Sequence, residues 1–242
     1  MRALERACEE GDDPACGKLA WHLREGIGIG RDLALAAALL DKACRRGSAG
    51  ACDDLGLMQI RGQGGPVDGK RAVATFTKSC DAGHGNGCYN LGIAYRKGIG
   101  FTPDLRQAAE AFRKACDAGS QKGCGELGLA LGEGRGVTRE VKRAVQLLQK
   151  ACEGRYWGAC YNLARLLSDG TDAPRDLERA VELYELACTQ GIHSACNNLA
   201  VLFVEGSGVP EDRKRARQLF ERACRAGVRS SCRAIERLDA SP

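Results

Sequence analysis

Fourteen cysteines in a chain of 242 residues are the side chains whose type and spacing could do chemistry. They fall at Cys8 and Cys16, Cys44 and Cys52, Cys80 and Cys88, Cys116 and Cys124, Cys152 and Cys160, Cys188 and Cys196, and Cys224 and Cys232. The members of each pair are eight apart, and the pairs recur every 36 residues without an insertion or deletion. Thiols in such a pattern can bridge, ligate a metal, or stay reduced as small packing residues. Structural zinc is held by C-x2-4-C clusters, and His22, His84 and His193 do not recur with the cysteines, so no metal site and no cofactor are expected. Along one continuous helix eight residues span about 12 Å, beyond the roughly 7 Å Cα limit of a disulfide. A chain reversal between them removes the obstacle, and each C-x7-C can then close locally; reduced packing thiols are the alternative.

The elements that must position these cysteines follow from the other columns of the 36-residue period, a length typical of helical solenoid repeats. An acidic column, Asp32, Asp68, Asp104, Glu140, Asp176 and Asp212, precedes apolar residues at helical spacing such as Ala180, Leu183, Tyr184 and Ala187. It is expected to cap a helix, B, of about fourteen residues. Helix B is expected to end at a glycine column, Gly11, Gly47, Gly83, Gly119, Gly191 and Gly227, where a left-handed turn favours glycine. Arg155 breaks that column, and Gly154 is the expected substitute one place early. A second helix, A, carries the later cysteine and then Leu19, Leu55, Leu91, Leu127, Leu163, Leu199 or Ile235, and stops at the Gly26, Gly62, Gly98, Gly134, Gly170 and Gly206 column. Loops such as GIGIGRD, GIGFTPD and EGSGVPED join A to B. Ala36, Ala72, Ala108, Ala144, Ala180 and Ala216 form a packing column. The fold class expected is all-α: a right-handed α/α superhelical solenoid of about fourteen helices with one disulfide per repeat.

The predicted organisation is one solenoid over residues 1–242, with a partial repeat at 1–12, full repeats at 13–48, 49–84, 85–120, 121–156, 157–192 and 193–228, and a partial terminal repeat at 229–242. Composition agrees with a soluble chain: 44% hydrophobic, 5% aromatic, formal charge +5. No run approaches the roughly 18 apolar residues of a membrane span, so no transmembrane segment is expected. The stretch MRALERACEEGDD has no apolar signal-peptide core, and the first repeat lacks its A helix. The expectation is that an N-terminal piece was removed or omitted; the alternative is a leaderless chain.

The segments KACDAGSQKGCGELG, Lys114 to Gly128, and EGSGVPED, Glu205 to Asp212, resemble the Sel-one-like repeat, a relative of the tetratricopeptide repeat. The cysteine pair in every repeat resembles the cysteine-rich secreted bacterial branch of that family, over essentially the whole chain. The resemblance implies an exported, disulfide-stapled α-solenoid whose curved surface binds an unidentified protein or peptide. It places the chain in a secreted or periplasmic setting, with the mitochondrial intermembrane space as the alternative; both permit disulfides. Members of that branch are also described as penicillin-binding proteins or slow β-lactamases, which is the alternative function.

A serine β-lactamase needs an activated nucleophile, as in S-x-x-K with S-D-N and K-T-G, and none of these motifs occurs in the sequence. Nor do H-E-x-x-H, G-x-S-x-G or a P-loop. No catalytic residue is assigned. His84 and His193 lie in the B-to-A turn, where they are expected to help cap the next helix, the alternative being pairing with a neighbouring acid. The second residue after each later cysteine is polar: Lys18, Asp54, Asn90, Glu126, Asn162 and Asn198. In similar repeats this helix lines the concave side, so Asn90, Asn162 and Asn198, with Tyr89 and Tyr161 beside them, are the candidate ligand contacts; an amide both donates and accepts. The alternative is that these amides only satisfy neighbouring backbone. Residues 211–237 hold nine Lys or Arg against four Asp or Glu, read as a solvated capping face and not as a nucleic-acid surface. A monomer is expected.

Overall fold

The computed structural model of the chain describes residues 1–170 and 175–240; the middle of the A-to-B loop in the 157–192 repeat falls outside them. The described residues form two compact units. The first, Met1–Cys124 with Arg135–Val137, contains α1 (Arg2–Glu9), α2 (Asp13–Glu25), α3 (Leu33–Arg45), α4 (Ala49–Arg61), α5 (Gly69–Asp81), α6 (Gly85–Lys97), α7 (Leu105–Asp117) and the start of α8 (Gln121–Glu133). The second, Gly125–Gly134 with Thr138–Pro242, holds the rest of α8, then α9 (Val141–Glu153), α10 (Trp157–Asp169), α11 (Leu177–Thr189), α12 (His193–Glu205), α13 (Arg213–Arg225) and α14 (Arg229–Ala240). Odd-numbered helices are the B helices and even-numbered ones the A helices, and no strand occurs among the described residues. In the first unit each helix from α1 to α7 packs on its sequence neighbours, and α4 also touches α2 and α6; α9 to α14 of the second unit repeat the neighbour packing.

Helix starts follow the acidic column. Asp32, Asp68, Asp104, Asp176 and Asp212 each accept a hydrogen bond from the backbone N–H three residues on, at 2.8–2.9 Å. Glu140 holds the same place before α9 without a side-chain cap bond. The B helices run 13 residues from α3 onward, one fewer than expected.

Each B helix ends in the same turn. In the first, Asp12 N–H bonds Ala7 O at 2.9 Å and Gly11 N–H bonds Cys8 O at 3.2 Å, with Gly11 at φ 101°. The same two bonds close the turns at Gly47, Gly83, Gly119, Gly191 and Gly227. This Schellman geometry turns the chain back on itself. It brings the paired cysteine Cα atoms to 4.3–4.9 Å, and all seven C-x7-C pairs are disulfides with no free cysteine remaining. Arg155 differs from the expectation. It takes the left-handed conformation itself, at φ 65°, while Gly154 stays right-handed at φ −75°. Tyr156 N–H bonds Ala151 O and Arg155 N–H bonds Cys152 O, both at 2.9 Å, so the register of the turn outweighs the preference for glycine.

The core is built from size-matched columns. Ala36, Ala72, Ala108, Ala144, Ala180 and Ala216 are at most 2% exposed, which lets neighbouring backbones approach closely. The large B-helix column is Leu40, Phe76, Phe112, Leu148, Tyr184 and Phe220, also at most 2% exposed. Opposite Phe76 and Phe112 the A helices carry glycine. A Cβ on Gly56 would meet the Phe76 ring at 2.5 Å, and one on Gly92 the Phe112 ring at 2.5 Å. Ser79 replaces alanine in another buried column, and its hydroxyl donates to Ala49 O at 2.7 Å, so the substitution leaves no orphaned group.

Candidate ligand-binding face

The polar face of the A helices begins one residue past each staple. The later cysteine points into the core, and the next two positions are rotated by about 100° and 200°, which takes them to the edge of the buried stripe, with Asp53 still buried and Asp54, Tyr89 and Asn90 half-buried. In the first unit this gives Asp53 and Asp54 on α4, and Tyr89 and Asn90 on α6. Asn90 is already engaged: its Nδ2 donates to Asp53 Oδ1 at 2.7 Å. His84 Nε2 lies 3.9 Å from Asp53 Oδ2. Burial pushes the Asp53 carboxyl above its ordinary range; the Asn90 hydrogen bond, His84 and Lys122 pull the other way, while Asp54 adds to the rise. Burial raises Asp54 as well, against Arg24 and His84. Lys122 Nζ stands 5.7 Å from the Tyr89 ring centroid, and that ring lies 6.1 Å from Phe112.

In the second unit the corresponding positions are Glu126 on α8, Tyr161 and Asn162 on α10, and Asn197 and Asn198 on α12. Tyr161 lies 6.0 Å from Tyr184, whose hydroxyl accepts from Asn198 Nδ2 at 3.2 Å and meets Ser168 Oγ at 3.3 Å. Burial drives the Tyr184 phenol upward, so it stays a neutral hydroxyl. Asn197 accepts from Ser230 and Ser231 at 3.1 and 2.7 Å and donates to Asn198 Oδ1 at 3.1 Å. Glu126 accepts from Tyr156 at 2.8 Å, and Arg165 pairs with Glu133.

The five sequence candidates therefore divide. Tyr89 and Asn90 share one face of the first unit, and Tyr161, Asn162 and Asn198 belong to the second. Asn90 and Asn198 spend a donor on side chains of a neighbouring helix and not on turn backbone. Asn162 is half-buried and keeps its amide uncommitted among the described residues. Neither turn histidine caps the next helix through its side chain. His84 turns to Asp53, and His193 begins α12 with a buried Nδ1 that has no hydrogen-bond partner among the described residues. Asp53 and Lys122 went unnoticed in the sequence because each is tied to the site from another repeat. Carboxylates, amides, phenols and one imidazole suit hydrogen bonding and stacking; no group of three His, Cys, Asp or Glu arranged for a metal occurs among the described residues. Several arginines of the basic terminal stretch are engaged: Arg217 with Glu221 and Asp239, Arg215 with Glu185.

A sequence profile of the Sel1 repeat matches residues 13–48, 49–84, 85–120, 122–156, 157–192 and 193–228. The chain belongs to the Sel1 repeat family. The chain is also similar to solved structures. A protective antigen of uropathogenic Escherichia coli displaying an SLR fold is 28% identical with a TM-score of 0.87, over 97% of this chain and 50% of that one, so the chain spans half the length of that relative. A Sel1 repeat protein from Oxalobacter formigenes is 24% identical with a TM-score of 0.77, over 87% of this chain and 84% of that one. Cysteine rich protein B of Helicobacter pylori is 32% identical over 54% of this chain and 93% of that one, with a TM-score of 0.44. No curated protein matches. The Sel1 repeats here form a helical solenoid with one disulfide in each B-to-A turn, and seven such bonds belong to an oxidising, extracytoplasmic compartment. No described helix is long and apolar enough to cross a membrane.

Proposed function

We propose that this Sel1 repeat chain is an exported, monomeric, noncatalytic scaffold that binds an extended peptide or protein segment through A-helix faces, each within its own unit. The observation that carries the reading is the pairing of an aromatic plane with an amide on one A helix of each unit, Tyr89 with Asn90 on α6 and Tyr161 with Asn162 on α10, on hairpins held by covalent staples. A tyrosine ring gives contact area at little entropic cost, and an amide matches the donor and acceptor of a peptide bond. The uncommitted amide of Asn162 is the strongest single contact in this reading. A rigid frame lowers the ordering cost of binding, which gives the staples a role beyond stability. Similarity to a protective antigen supports a location outside the cytoplasm.

The test is selection of a displayed random-peptide library on the oxidised chain, with reduced and alkylated protein in parallel. Peptides enriched on the oxidised form alone, whose affinity falls about tenfold on Asn162→Ala, are the expected result. No enrichment, or binding indifferent to both Asn162→Ala and Tyr89→Ala, overturns it. Location is read separately by fractionating the source cells. Recovery of the chain in the cytosol with its thiols open to alkylation contradicts export.

A further inference from the structure

A cleft of about 270 Å³ opens in the first unit between α3, α4 and the loop from α4 to α5. Two departures from the repeat create it. At Ala34 the other B helices carry longer charged residues, among them Lys70, Arg106, Lys142 and Lys214, so here the wall is cut back. At Gln59 the other A helices carry Leu23, Tyr95, Leu131, Leu167 and Phe203, so an amide stands where five repeats place a large apolar side chain. Both amide atoms of Gln59 and the Oε1 of Gln63 are buried with no hydrogen-bond partner among the described residues. Leaving such groups unpaired opposes folding, and a leucine at Gln59 would avoid it. The loop is held close. Gly64 sits at φ 83°, and a Cβ there would fall 2.3 Å from Leu33 O, so the cleft is bounded by backbone packed against α3. At the rim Arg71 stands 3.7 Å from Asp41.

The geometry points to a binding pocket for a primary-amide side chain, glutamine or asparagine, presented by an extended peptide. An amide is self-complementary: the incoming N–H donates to Gln59 Oε1 and the incoming carbonyl accepts from Gln59 Nε2. The terminal torsion of glutamine is broad, so Gln59 turns its amide into the cleft at little cost. The alanine wall takes the methylenes of the ligand. Arg71 receives a main-chain carbonyl of the peptide, and Asp41 a main-chain N–H. The pocket extends the peptide-binding reading to a surface separate from the faces of α6 and α10.

The experiment is an NMR titration of the oxidised full chain with N-acetyl-glutamine methylamide, with the leucine and glutamate analogues as controls. Saturable shifts at the Gln59 and Gln63 side-chain amides and at Gly64 are expected from the glutamine probe alone. Gln59→Leu restores the residue type of the sister repeats and should raise Tm, which proves it folded, while weakening the probe about tenfold. Ala34→Lys, which fills the cleft, should do the same to binding. Asn162→Ala should leave these shifts unchanged, so failure of the A-helix reading and failure of the pocket are told apart. No saturation at millimolar probe, equal shifts from the leucine analogue, or full affinity in Gln59→Leu overturns the pocket.

Discussion

Arg155 shows how one side chain can be carried against its own preference. A left-handed L-residue costs about 1–2 kcal/mol, and Arg155 accepts this because the two turn bonds and the Cys152–Cys160 bridge fix the hairpin register. Arg155→Gly should therefore stabilise the chain by about 0.5–1 kcal/mol once the added freedom of the unfolded glycine is counted, seen as a raised denaturant midpoint. An unchanged or lowered midpoint would contradict strain at this turn. Asp53 is a second residue held outside its ordinary state. Burial raises its carboxyl in the folded chain above the ordinary 3.8, so between the two values the folded state holds more protons than the unfolded one. Stability must then fall as pH rises through that window and stay lower above it. Asp53→Asn keeps an acceptor for Asn90, and it should melt above the parent at neutral pH, the gap closing once pH drops below 3.8; a gap independent of pH refutes the assignment.

The unit of construction at the next scale is the stapled B-to-A hairpin and its packing on the following helix. Removing one staple by Cys116→Ala with Cys124→Ala frees a nine-residue loop, which on the loop-entropy model costs about 2.5 kcal/mol in guanidinium unfolding. A loss under about 1 kcal/mol would mean that the Schellman turn alone holds the hairpin. The size-matched columns make a parallel prediction. Gly92→Ala drives a methyl into the Phe112 ring and should cost about 1–3 kcal/mol, and pairing it with Phe112→Leu should recover much of the loss. At this scale the sequence was legible: the acidic caps, the glycine turns and the cysteine pairing all follow from column and spacing. What stayed hidden needs partners across repeats. Asn90 could not be assigned to Asp53, 37 residues earlier, nor Asn198 to Tyr184, because a column records what recurs and these bonds occur once each. Gln59 was the exception a column could have revealed, as the lone amide in an otherwise apolar row.

Within each unit, stability is a sum of neighbour terms, since α1 to α7 and α9 to α14 mainly contact the helices beside them in the chain. Seven staples at a few kcal/mol each rival the entire 5–15 kcal/mol of an ordinary domain. Full reduction with alkylation should therefore abolish the cooperative thermal transition followed by circular dichroism. A reduced chain still melting within a few degrees of the oxidised one would show that the alanine and phenylalanine columns suffice. Fourteen cysteines can be fully paired in on the order of a hundred thousand ways, yet every bridge joins a cysteine to the very next one in the chain. A chain that emerges N-terminus first into an oxidant thus meets each correct partner before any wrong one has appeared, and its oxidative folding should proceed in order without an isomerase to reshuffle it.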